Sequence, residues 1–283
     1  MIPVGFEYAR AKTVREALNM LAAGEAKLLA GGHSLLPLMK FRLAQPAKLV
    51  DIGGIDELKG IDVKGKGLRI GAATTYRDIL DSGAVKERAP LLAEATETIG
   101  DTQVRNRGTV GGGLAHADPA SDMPAVMMAL DATFNLRSKA GKRSVPAREF
   151  FQGAFATALK DDEIFYEIIV PAAPKKSGSA YVSFEQKASG YAIAAAAAVV
   201  TKSRKTITGV TLAITGVGDK AFLADASAAV GTHGEDGELE AALAGILNGI
   251  SVNADIHASA EYRSHLARVA AKRAIQAALG RAG

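Results

Sequence analysis

The sequence predicts an α+β protein of two domains: a first domain of two α/β lobes over residues 1–175, and a smaller α+β domain over 176–283. Three observations predict it. A strand–loop–helix–strand order fills roughly the first 55 residues, which is the βαβ unit of a small α/β lobe. Around Pro171-Ala172-Ala173-Pro174-Lys175-Lys176-Ser177-Gly178-Ser179 the composition turns to proline, glycine and serine, as in a linker. Beyond it, strand-like runs are followed by a block of helices, the order of an α+β domain. A length of 283 residues, 48% of them hydrophobic and 23% charged, suits two globular domains with ample core.

The elements follow in chain order. Thr13, with Glu16 three residues later, opens an amphipathic helix through Val14, Ala17, Leu18, Met20 and Leu21 as a capping box, and Gly24 ends it. Lys27-Leu28-Leu29-Ala30 is a short buried strand. Ser34 is placed to cap a helix from Leu35 to Leu43, with Pro37 tolerated near its first turn. Leu49-Val50-Asp51-Ile52 is the next strand, and Gly53-Gly54 stops it. In the second lobe (about 56–175), Leu68 to Ala72 reads as a strand. Thr74 or Thr75 caps a helix Tyr76–Leu80, and Pro90 to Ile99 and Met123 to Leu130 read as helices. Ala132 to Leu136 and Phe165 to Val170 are strands. In the second domain, strands at 180–187, 191–201 and 207–215 predict a three-stranded antiparallel sheet, followed by helices near 222–230, 238–247 and 259–279. Alanine is a poor strand former, so 194–198 is the weakest part of that pattern.

Two glycine-centred segments carry the chemistry: Ala30-Gly31-Gly32-His33-Ser34 and Thr109-Val110-Gly111-Gly112-Gly113. Glycines bare the backbone N–H groups, and a loop opening into a helix offers those donors and the positive helix end to an anion. A lone Gly-Gly pair is more often a tight turn before a capped helix. Two such loops in one chain suit a ligand with adjacent phosphates, which makes a dinucleotide the expectation. Neither loop is GxGxxG, and GxxxxGK[ST] is missing, so a Rossmann fingerprint and an NTP-binding P-loop lack support. Arg105 and Arg107 run into the second loop and would bring guanidinium groups to a polyphosphate. Downstream stand His116, Asp118, Ser121 and Asp122, of which Ser121 and Asp122 are also ordinary helix starters. Lys187 and Tyr191, four residues apart, share a face if that region is a regular strand.

Composition excludes several classes. With no cysteine, the chain holds no disulfide, cysteine nucleophile or thiolate-bound iron–sulfur cluster. Its net charge of +4 is scattered, without the basic stripe of a nucleic-acid binder. The five histidines lack ligand spacing, so no metal site is expected, and GxSxG is missing too. The apolar run Ala192–Val200 falls short of the ~20 residues of a transmembrane helix. The start is too polar for a secretory signal, so a cytoplasmic protein is expected.

Three long motifs resemble a known family: Ala30 to Ser34; Gln103-Val104-Arg105-Asn106-Arg107-Gly108-Thr109-Val110-Gly111-Gly112; and Ala115-His116-Ala117-Asp118-Pro119-Ala120-Ser121-Asp122. Together with Phe150 to Gly153 and Glu261 to Leu266, they look like the FAD-binding medium subunits of molybdenum hydroxylases, of the carbon monoxide dehydrogenase type. The resemblance implies an FAD-binding domain of the vanillyl-alcohol oxidase (PCMH-like) type. It implies that Ala30, Gly31, Gly32, His33 and Ser34, with Thr109, Val110, Gly111, Gly112 and Gly113, wrap the FAD diphosphate. It implies that Asp122 contacts the cofactor, that Ile168 or Ile169 reaches the flavin, that Lys187 lies near its ring and that Tyr191 lies against it. Gly113 departs from the serine or asparagine usual there, and Leu223 from a frequent arginine. The implied role is electron transfer from the [2Fe-2S] clusters of a small subunit to an external acceptor. The resemblance further implies a molybdenum cofactor in a large subunit, assembly as a dimer of heterotrimers, and a complex in the cytoplasm or at the inner face of the membrane. No side chain of this chain is expected to act as a catalytic acid, base or nucleophile. A stand-alone flavin oxidase and an assembly subunit without FAD are the competing readings.

Overall fold

The computed structural model describes residues 1–22 and 24–283. The first lobe is a parallel sheet in which Lys48–Asp51 runs between Glu7–Arg10 and Ala26–Leu29. Helix Val14–Leu21 buries Val14, Ala17, Leu18 and Leu21. The Thr13 hydroxyl accepts the Glu16 amide at 3.1 Å, but the Glu16 carboxylate accepts from the Lys12 amide at 2.8 Å. The expected capping box is therefore closed one residue early. Strand Glu7–Arg10 escapes the sequence pattern because three of its four side chains are exposed at the sheet edge.

The second lobe is a five-stranded antiparallel sheet, ordered Ile61–Lys64, Gly67–Gly71, Ile164–Val170, Thr133–Arg137, Lys142–Pro146. Its core gathers Phe134, Phe150, Phe151 and Phe165, with Phe134 and Phe150 edge-to-face at 4.9 Å. Six short helices cross between the strands Gly67–Gly71 and Thr133–Arg137. The last, Asp122–Ala129, is buried along its whole length.

The C-terminal sheet has four strands where three were expected: Ser177–Glu185, Ala192–Ser203, Thr206–Thr215 and Phe222–Ala224. Residues 222–230, expected as a helix, instead form that edge strand and a single turn at Ser227–Ala229. Pairing with Leu212 to Ile214 overrides local helix propensity there. The first strand also begins at Ser177, inside the expected linker. The alanine run is a central strand, and its small side chains are the reason it fits. Ala195 and Ala197 face the core of the second lobe, whereas Ala194, Ala196 and Ala198 face the long helix Ala260–Arg281. That helix meets them with Ala267, Ala270, Ala271, Ala274 and Ala278. Covered on both faces, the strand cannot alternate apolar and polar residues. Among the described residues no helix is long and apolar enough to cross a membrane, and no cluster of three or more His, Cys, Asp or Glu could hold a metal ion.

Candidate functional site

The strand Ala26–Leu29 runs into Ala30–Ser34 and then into helix Leu35–Lys40. Gly32 has φ +81°, a left-handed conformation that favours glycine. The amides of Gly31, Gly32, His33 and Ser34 donate to no group among the described residues. Ser34 does not cap the helix as expected: its backbone is already helical, φ −105° and ψ −51°, so its hydroxyl makes no capping bond. This loop thus presents four backbone donors and a hydroxyl.

The second glycine segment is not a loop. Val110–His116 is a helix capped by Thr109, whose hydroxyl accepts the Gly112 amide at 3.2 Å. The amides of Val110, Gly111 and Gly113 go to Thr74 O, Ala72 O and Thr109 O at 3.0, 2.9 and 3.0 Å. The expectation of bare N–H groups therefore holds for the first segment and is corrected for the second. Here glycine serves close packing. A Cβ on Gly111 would lie 2.5 Å from the Ala72 Cβ and 2.6 Å from its carbonyl oxygen. A Cβ on Gly31 would overlap the Arg107 carbonyl oxygen and stand 2.9 Å from the Gly108 Cα. The two glycine segments, almost 80 residues apart in sequence, consequently meet along one seam, with Gly112 facing Ala30.

The seam floors a cleft of about 960 Å³ that runs from Lys27 and Lys160 to Asp122 and Tyr191. That volume lies at the upper end of the roughly 300–1,000 Å³ usual for ligand sites. Ala30, Gly31, Gly32, His33, Ser34, Thr109, Gly111, Gly112, Gly113, Asp122 and Tyr191 all line it. Val110, Ile168, Ile169 and Lys187 do not. Val110 and Ile168 are fully buried in the core, and Ile168 and Ile169 are paired within the sheet. Lys187 is exposed in the turn between two strands, so it does not share a strand face with Tyr191. The arginines also fall elsewhere. Arg105 donates to the carbonyls of Ile99 and Gly100 at 2.8 and 3.0 Å, and Arg107 is exposed and not among the residues lining the cleft. His116 packs on Phe155, and its burial holds its pKa below the ordinary value. The cleft is lined by amides, hydroxyls and the lysines Lys27 and Lys160, and by no guanidinium group.

At the far end lies a polar cluster that only the fold assembles. Asp122 is 6% exposed, and the buried Tyr181 hydroxyl donates to its carboxylate. Burial is the main cause that pushes the carboxyl up to about 7, helped by the charge of Glu185 and opposed by the hydrogen bond from Tyr181. The C-terminal sheet grips the chain leading to Asp122. Gly216 N–H donates to Pro119 O at 3.0 Å, and the Thr215 hydroxyl reaches Ser121 O at 2.8 Å and Pro119 O at 3.0 Å. Arg263 braces that edge through Ile193 O and Gly216 O, both at 2.7 Å, and Asp255 at 2.6 Å. Nothing in the sequence ties Tyr76 or Tyr181 to Asp122, because 46 and 59 residues separate them from it and neither sits in a motif.

Two families match the chain. The FAD binding domain in molybdopterin dehydrogenase matches residues 4–173, and the CO dehydrogenase flavoprotein C-terminal domain matches residues 179–278. The carbon monoxide dehydrogenase medium chain of Hydrogenophaga pseudoflava is 41% identical over 285 residues, covering 99% of each chain. A solved carbon monoxide dehydrogenase from the same organism, lacking the Mo-pyranopterin moiety of the molybdenum cofactor, superposes with a TM-score of 0.96 at 42% identity over 100% of both chains. Quinoline 2-oxidoreductase from Pseudomonas putida 86 gives 0.94 at 31% identity over 99% of both chains.

Proposed function

Because this chain belongs to the family of FAD-binding medium subunits of molybdopterin dehydrogenases, we propose that its cleft holds FAD and that the Gly31–Ser34 amides grip the diphosphate. The chain is a flavoprotein oxidoreductase subunit of a multi-subunit molybdenum hydroxylase complex. FAD, when bound, supplies the two-electron store that accepts electrons from partner iron–sulfur clusters and releases them to an external acceptor. The protein's residues bind, orient and shield it. The four free amides and the Ser34 hydroxyl supply donors to the diphosphate at one end. At the other, Tyr191, 44% exposed, provides an aromatic face at the cleft mouth, and Asp122 a carboxyl whose protonation is set by burial.

We place the domain boundary near residue 175, with the C-terminal sheet orienting Asp118–Asp122. Large molybdenum-binding and small iron–sulfur partners, assembled as a dimer of heterotrimers in the cytoplasm or at the inner membrane face, complete the proposal. The observation that carries the reading is the set of unpartnered Gly31–Ser34 amides on the seam. Competition tests it. ADP, which shares the diphosphate, displaces FAD from the complex, and FMN, which lacks that diphosphate, does not replace it. FMN binding as tightly as FAD, with ADP inert, contradicts the reading.

A further inference from the structure

Tyr76 is a largely buried polar side chain of the cleft to which the fold gives no hydrogen-bond partner. It is 6% exposed and lines the cleft, yet its hydroxyl makes no hydrogen bond among the described residues. The hydroxyl is not sealed from solvent, so it opens into the cleft, where an oxygen of a ligand can replace water as its partner. The position of the ring is tightly fixed. The Tyr76 amide donates to Gly108 O at 3.0 Å, and the ring lies flush on Gly108, where a Cβ would be 3.2 Å from Cδ2 and Cε2. At its other end the hydroxyl occupies the space beside Gly113, where a Cβ would overlap it. Two glycines therefore bracket one phenol and aim its oxygen at the helix end of the seam.

Resting on the reading that FAD occupies the cleft, we propose that Tyr76 is a cofactor-binding residue whose hydroxyl donates to an oxygen of the diphosphate–ribityl chain, and that Gly113 exists to make room for it. Burial holds the phenol well above its ordinary pKa, with the charges of Asp122 and Tyr191 adding to the effect, so it remains a donor. The same geometry supplies a swap. The Tyr76 Cζ would stand 3.5 Å from a Cβ at position 113, an ordinary contact. Removing the phenol oxygen thus opens space for a serine hydroxyl on the neighbouring helix.

The test measures FAD affinity by flavin fluorescence and melting temperature without FAD, in the full chain assembled with its partners. Tyr76→Phe melts close to the parent temperature, since the hydroxyl has no hydrogen bond to the protein to lose. It nevertheless binds FAD about tenfold more weakly, the weight of one hydrogen bond to the ligand. Gly113→Ser alone loses affinity by overlap. Combining Tyr76→Phe with Gly113→Ser regains most of it. Tyr76→Phe binding FAD as the parent does, while ADP still displaces FAD, overturns the inference alone. FAD that ADP does not displace overturns the placement in the cleft, and this inference with it.

Discussion

Replacing Gly31 by alanine separates close packing from backbone strain, because Gly31 has an ordinary φ and only space forbids the side chain. The new Cβ would overlap the Arg107 carbonyl oxygen and stand 2.9 Å from both the Arg107 carbonyl carbon and the Gly108 Cα. Carbon atoms pack at about 3.5–4.0 Å, so the seam must open by roughly an ångström. All three obstructing atoms are backbone and cannot rotate away. Overpacking of this kind costs about 3 kcal/mol, equivalent to a fall of about 6–12 °C in melting temperature for a chain near this size. The displacement also carries the Gly31–Ser34 amides off their geometry, and the loss of even one charge-assisted hydrogen bond weakens FAD by tenfold or more. The assay is differential scanning calorimetry with flavin content per chain. Gly237→Ala is the control: Gly237 is exposed in helix Asp236–Ala242 with nothing within 4 Å of a Cβ, so alanine should stabilise by about 0.5–1 kcal/mol. A Gly31→Ala protein that melts with the parent and keeps its full flavin refutes the seam as described.

Other outcomes follow from the same packing. Asp122 keeps its proton to about pH 7 when folded but only to its ordinary 3.8 when unfolded. The folded chain therefore binds the extra proton between those values, and its stability falls as pH rises across them. The separation is worth roughly 4 kcal/mol at most, and Asp122→Asn should flatten the decline in denaturant titrations from pH 4 to 8. An unchanged slope would remove Asp122 as its source. Arg263→Ala leaves the carbonyls of Ile193 and Gly216 without their donor and should cost about 3 kcal/mol by urea unfolding. A loss under 1 kcal/mol would show that edge to be held by other contacts. Ala196→Leu pushes a larger side chain against helix Ala260–Arg281 and should destabilise by about 1–3 kcal/mol, despite leucine's greater hydrophobicity. A stabilised variant would mean that the helix and sheet are not in close contact.

Much of the scaffold is legible locally, because it depends on signals only a few residues apart. The Thr13 cap, the helices starting at Pro90 and Ala260, and the strands on either side of the second-domain turns all carry such signals. What escapes is what contact decides. Three consecutive glycines read as a turn, yet Gly111 and Gly113 lie in a helix because Ala72 and Tyr76 press against them. Residues 222–224 take strand geometry from their neighbour. The alanine run is apolar on both sides only because helices of two cores cover it. In the site, the resemblance marks both glycine segments, Asp122 and Tyr191, which line one cleft. It does not separate the segment with free donors from the one whose donors are occupied. Nor does it reveal Tyr76 and Tyr181, which reach Asp122's surroundings only through the fold.

Amide hydrogen exchange across the two glycine segments tests the central claim most directly, measured on the assembled protein before and after FAD is loaded. The account predicts fast exchange at Gly31–Ser34 without FAD and strong protection with it, while Val110–Gly113 is protected in both states. Exchange at Gly31–Ser34 that is indifferent to FAD, or protection gained only at Val110–Gly113, contradicts it.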